Sequence, residues 1–249
     1  MEAAATIRAA VAQVARLQQD ASAHPPLGAA LSWIKHFQSN RFAATYVDLS
    51  AGDQYRAATR FFLEELYSDA SYAERDRQFS RVAGALQRLL PQPALSTAVA
   101  LAQLHALSEQ LDHAMGHALL LGPNAKESDE TSRYIHAWRS VGRRTDREAQ
   151  LQAVLKIGAD LDRLTRASGL RLTLKMMRGP AYAAGLAALQ RFLEFGFDTF
   201  ASMGKRKPGA GGFLAIVQER ESRLIDLMFD ADLTTLQADI FGASGSDAR

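Results

Sequence analysis

The chain has 249 residues and 27.2 kDa, 47% of them hydrophobic and 22% charged, the balance of a globular protein and not of a disordered one. Its 29 basic and 27 acidic residues leave a formal charge of +2, too even to argue for nucleic acid or for a membrane surface. No cysteine is present, which excludes disulfides, thiolate metal sites and a Cys nucleophile, and no apolar run approaches the roughly 18 residues of a membrane span.

Apolar residues recur with a period near 3.6 along almost the whole sequence, and no period-2 stretch interrupts them. This predicts an all-α fold: a single-domain multi-helix bundle of roughly ten helices over residues 1–241, then a flexible tail at 242–249. The Ala-rich N-terminus resembles a transit peptide in composition, but Ile7, Val11, Val14 and Leu17 share one stripe and predict a docked helix. HPPLG at 24–28 breaks the chain, and a second helix runs to about Leu49. Ser50 and Asp53 in SAGD have capping-box spacing and open a third. Ser71 and Glu74 in SYAE repeat the signal for a fourth, which the prolines of LLPQPAL at 89–95 end.

A fifth helix near 95–121 stops at GPN, and a sixth covers 129–142. Thr145 and Glu148 form another capping box that opens a seventh, running to about Ser168, and a short eighth covers 170–177. Pro180 suits the first turn of a ninth ending near Met203. After GKRKPGAGG come a helix over 213–229 and a short last one near 231–241. That loop lacks the Walker spacing and a preceding strand, and Pro208 removes a donor, so it predicts a flexible basic connection and not a phosphate cradle.

Plotted at about 100° per residue, the helix faces set three arginines, Arg41, Arg75 and Arg220, on apolar arcs. A guanidinium taken out of water needs a counter-charge, because its desolvation costs several kcal/mol. Asp48, Asp76 and Glu221 are the nearby carboxylates, and Glu65 the more distant one, facing Arg75 across a short turn. These seven residues are the candidate polar cluster: either ties that set helix register, or the lining of a pocket in which an arginine holds a small anionic ligand. Glu64 points the other way, one turn from Arg60, as a solvated pair.

A second candidate is metal binding. His105, Glu109, His113 and His117 recur every four residues, so they share a face on which a divalent ion can be chelated. The Glu-x-x-His pairs of di-iron bundles are not repeated, and the stripe lies opposite Leu101, Leu104, Leu107, Leu111 and Met115, which predicts a solvated face. His36 and His136 stand apart from any nucleophile signature, and no G-x-S-x-G supports hydrolase chemistry.

HFQSNRFAATYVDL, FFLEELYSDASYAERDRQFSRV, LDHAMGHAL, FLEFGFDTFASM and FLAIVQERE, spread over most of the chain, resemble segments of a family of bacterial proteins named after the FFLEELY motif. The resemblance implies a cytoplasmic all-α protein and transfers no catalytic or binding residue. A non-enzymatic binding or interaction protein is the favoured reading, with a metalloprotein and an anion-binding pocket as alternatives. It calls for no cofactor, no nucleic acid and no membrane span, and its partner is an unidentified protein or a small anion. Enzymatic activity and oligomeric state stay open.

Overall fold

A computed structural model describes residues 2–65, 73–89, 91–122, 129–167, 169–204, 207–232 and 236, with backbone alone at 65, 73–75, 85–86 and 88–89. Among the described residues there are twelve helices and no strand. The short helix expected near 231–241, the tail at 242–249, the Ser71–Glu74 cap and the Glu65–Arg75 side chains all fall outside them.

Helix α1 (Glu2–Ala23) buries Ile7, Val11 and Val14 of its expected stripe. Prolines 25 and 26 do not separate it from α2 by a loop. They occupy the first turn of α2 (Pro25–Thr45), where a missing N–H leaves no bond unmade. Tyr46 interrupts the chain before α3 (Val47–Ala51), so Ser50 lies inside a helix and caps nothing. The helix expected to start there is α4 (Arg56–Glu65), followed by α5 (Ala73–Leu89), α6 (Gln92–Leu121) and α7 (Glu130–Val141). Asp129 caps α7 by accepting the Ser132 N–H at 2.8 Å.

Helix α8 (Arg144–Thr165) is opened differently from the capping box expected of Thr145. Gly142 and Arg143 both take positive φ, 64° and 58°, and this left-handed pair turns the chain directly into the helix. Helix α9 (Leu170–Met176) follows, and the ninth expected helix is two, α10 (Arg178–Ala183) and α11 (Ala187–Met203), divided at Gly185 with φ 68°. Helix α12 (Gly209–Asp230) completes the described fold.

Helix α6 is the pillar, packed against α1, α2, α7 and α8, while α12 lies along α8. Close approach requires small residues: a Cβ at Gly158 would come within 2.5 Å of Leu214, and one at Gly116 within 2.9 Å of Leu27. The main core draws Ile34, Phe42, Met115, Ile135, Phe200, Phe213 and Met228 from helices far apart in sequence. A smaller cluster joins Ile7 and Val14 to Ala83, Ala102 and Ala106. The amides that open two helices find acceptors on α5, since Gln87 accepts from the Ala4 N–H and Gln78 from the Leu189 N–H, each at 3.0 Å.

Phe61 and Phe62 form a wedge in this core. Phe61 and Phe62 are both 3% exposed. Phe61 meets Phe192 and Phe195 of α11 at ring distances of 5.8 and 5.3 Å. Phe62 meets Phe42 of α2 and Phe213 of α12 at 6.0 and 5.4 Å. Burial of each ring contributes roughly 1.5–3 kcal/mol. Glu64 pairs with Arg60 at 2.7 Å in solvent, as the helix faces predict.

Candidate functional site

Arg41 of α2 and Arg220 of α12 each meet a carboxylate, in bonds that tie α2 and α3 to α12. Arg41 Nη1 donates to Glu221 Oε1 at 2.7 Å, and the Tyr46 hydroxyl donates to the same oxygen at 3.0 Å. Arg41 is 8% exposed, Glu221 9% and Tyr46 0%, so one carboxylate receives both donors away from water. At the rim, Arg220 grips Asp48 in bidentate fashion, Nη1 to Oδ1 at 2.8 Å and Nη2 to Oδ2 at 2.7 Å. The same Nη1 donates at 2.6 Å to the carbonyl of Thr45, one of those the end of α2 leaves without a helical partner, and the guanidinium stands 5.4 Å from the centre of the Tyr46 ring.

The hydrogen bond from Arg220 holds the Asp48 carboxyl below the usual carboxylate range. The helix faces put Arg220 inside the apolar arc of α12 and Glu221 at its edge, and the structure exchanges them. Glu221 is short and finds two donors inside, whereas Arg220 has a stem long enough to reach the rim. Arg220→Met is expected to cost less than about 1 kcal/mol near neutral pH, since the pair it breaks is partly exposed. The contribution of a carboxyl with a lowered folded pKa is present above its unfolded value and lost as pH falls through the folded one. The gap between Arg220→Met and the unsubstituted protein therefore closes in acid, as urea titrations across pH will read.

Asp76 belongs elsewhere. It is buried on α5 and lies 2.8 Å from His105 Nε2 on α6. The rest of the histidine stripe is likewise distributed among separate partners. Glu109 accepts from Lys35 at 2.6 Å, and one turn on Asp112 accepts from Gln38 at 2.9 Å, so two i,i+3 pairs lock α2 to α6. His113 Nε2 is 2.8 Å from Asp20 of α1, and His117 Nε2 is 3.9 Å from the same oxygen. The stripe is thus not a solvated face. His105, Glu109 and His113 are half-buried, because α6 is enclosed on several sides and its small residues Ala102, Ala106 and Gly116 admit α1 and α2.

Sequence reasoning passed over Arg147 and Asp20, and placed Asp112 only as a neighbour of the histidine stripe. Arg147 is 4% exposed, with its guanidinium 4.0 Å from the centre of the Trp138 ring and Nη2 3.0 Å from Met115 Sδ. Burial pushes the Asp112 carboxyl up, against the pull of Arg147 and Lys35. Arg147 stands four residues before buried Leu151, a spacing that marks a charge on the apolar arc.

Helix α9 buries no residue at all. Leu172, Met176, Met177 and Tyr182 are 63%, 69%, 42% and 50% exposed around it. Arg171 pairs with Asp198 at 2.8 Å and Arg178 with Glu194 at 2.6 Å, which seats the basic side of α9 and α10 on α11.

A family model described as a domain of unknown function (DUF8198) matches residues 17–235. The chain belongs to that family. No curated protein and no solved structure matches it. The DUF8198 match begins within α1 and extends beyond α12, so it takes in the Arg41–Glu221 knot, the Lys35–Glu109 and Gln38–Asp112 pairs and the α9–α10 face. Among the described residues of this DUF8198 chain, no helix is long and apolar enough to cross a membrane.

Proposed function

We propose that the protein is a non-enzymatic helical docking protein whose α9–α10 face receives an acidic, partly apolar segment of a partner protein. The carrying observation is the exposure of Leu172, Met176 and Met177 on and beside a helix without one buried residue. Apolar side chains grouped in this way mark contact surfaces, whereas scattered ones do not. Charge complementarity names the partner's chemistry. Residues 163–193 contain six basic residues and no acidic one; Arg163, Arg166, Arg171 and Arg178 pair with Asp160, Asp162, Asp198 and Glu194 outside the stretch, and exposed Lys175 supplies the positive charge beside Met176. The Arg41–Glu221 and Arg220–Asp48 pairs are ties in this reading, since each guanidinium is engaged by the chain's own carboxylate and an added anion must displace it. We extend the proposal to residence in the cytoplasm and to kinship with the FFLEELY-motif proteins.

A photo-crosslinking residue placed at 176 in living cells is expected to yield a discrete protein adduct that maps to an acidic segment. Lys175→Glu should abolish it, and a crosslinker at exposed Arg60 should not give it. The absence of an adduct at 176, the same adducts from 60, an adduct at twice the chain mass, or co-sedimentation with anionic lipid vesicles in place of a protein adduct would each overturn the reading.

A further inference from the structure

Near the end of α1 and on the later half of α6, Asp20, His113 and His117 converge at a place that belongs neither to the α2–α12 knot nor to the α9–α10 face. His113 and His117 are four residues apart, so one turn of α6 sets their imidazoles together, with ring centroids 4.8 Å apart. Both direct Nε2 to one oxygen of Asp20, at 2.8 and 3.9 Å, and a ligand atom from each of the three residues lies within 4.8 Å of the others. Metal–ligand distances of about 2.0–2.2 Å put neighbouring donors of a tetrahedral site about 3.4 Å apart, inside the range these atoms span. His24 Nδ1 is 2.9 Å from the Asp20 backbone carbonyl and 3.1 Å from the other Asp20 carboxylate oxygen.

We propose that Asp20, His113 and His117 form a surface site for a divalent first-row metal of the zinc class, with water completing the coordination. Two imidazoles and a carboxylate suit such an ion, and the remaining position is open to solvent on the side of half-exposed His117. The proton that His113 Nε2 shares with Asp20 leaves that nitrogen when the metal binds. The ion would then join α1 to α6 beyond their apolar contact. This differs from the stripe read along α6 alone: His105 is engaged by Asp76 and Glu109 by Lys35, and only the last two members of the stripe take part. Asp20 supplies what no second residue of that helix does.

The test is a Co2+ titration of the full chain carrying no histidine tag, read by visible absorption, with Zn2+ competition and thermal melting alongside. Saturable binding of one ion per chain is expected, displaced by Zn2+, with Zn2+ raising the Tm. His117→Ala and Asp20→Asn should lose both responses, and His105→Ala, about 12 Å away along the helix axis, should keep them. His117 is exposed enough that its truncation should leave the metal-free Tm unchanged, which separates loss of a ligand from loss of fold. No saturable binding to the unsubstituted protein, undiminished binding by His117→Ala, or equal weakening by His105→Ala would overturn the site.

Discussion

Glu221→Ala is expected to lower the unfolding free energy by about 3–5 kcal/mol, the range for removing one member of a buried ion pair. The carboxylate reaches from α12 to α2, and its Oε1 serves Arg41 and Tyr46 together. Truncation therefore removes a counter-charge from a guanidinium that is 8% exposed and an acceptor from the hydroxyl of a fully buried tyrosine. A domain of this size is stable by only about 5–15 kcal/mol, so urea unfolding followed by circular dichroism will show the loss as a large fall in midpoint. Glu221→Gln keeps an acceptor for Tyr46 and is expected to cost less. The pair Arg41→Met with Glu221→Leu should recover most of the stability, because replacing a buried pair with apolar groups of similar size avoids the desolvation that both charges require. A double variant as unstable as Glu221→Ala would show that the pair contributes more than mutual neutralisation.

Arg147→Ala is expected to be comparably damaging, about 3 kcal/mol or more, since it deletes a buried cation stacked 4.0 Å from the Trp138 ring centre. It also removes the main charge that favours ionised Asp112 in its buried position between α6 and α2. Asp112→Asn keeps an acceptor for Gln38 and cannot ionise. The folded pKa of Asp112 is raised, so its stabilising contribution is complete below the unfolded value and is lost as pH climbs through the folded one. Asp112→Asn should accordingly gain on the unsubstituted protein as the solution is taken from acid towards neutrality. In the Arg147→Ala background the gain should be larger, because Asp112 there has lost its strongest opposing charge. A double-mutant cycle of melts at two pH values measures that coupling. An Asp112→Asn advantage that does not grow with pH would contradict the raised pKa.

The polar cluster was legible as a composition and not as a set of pairs. Arg41 and Arg220 on apolar arcs already require counter-charges, and Asp48 and Glu221 were among the carboxylates at hand. The helix faces set Arg220 inside the arc and Glu221 at its edge, the reverse of what the structure shows, because at 100° per residue the two neighbours lie close to the same boundary. The choice falls to Tyr46, whose hydroxyl offers Glu221 a second donor. For α6 the failure has another cause. An Ala-rich helix looks half-solvated in sequence, yet Ala102, Ala106 and Gly116 let other helices approach on that side and bury the histidine stripe part-way. Arg147 was hidden in a capping signal, Thr145 to Glu148, which Gly142 and Arg143 displaced by turning the backbone themselves.

By itself the sequence determined that the chain is helical, where most helices begin and end, and that charged groups turn inward. These properties rest on hydrogen bonds and side-chain spacings confined to about four neighbouring residues. Tertiary structure alone decided that Arg41 meets Glu221 across 180 positions, that the FFLEELY phenylalanines wedge between α2, α11 and α12, and that Asp20 arrives beside His113 and His117. Such meetings depend on how whole helices pack, and a residue carries no local mark of the partner that a distant helix will bring to it.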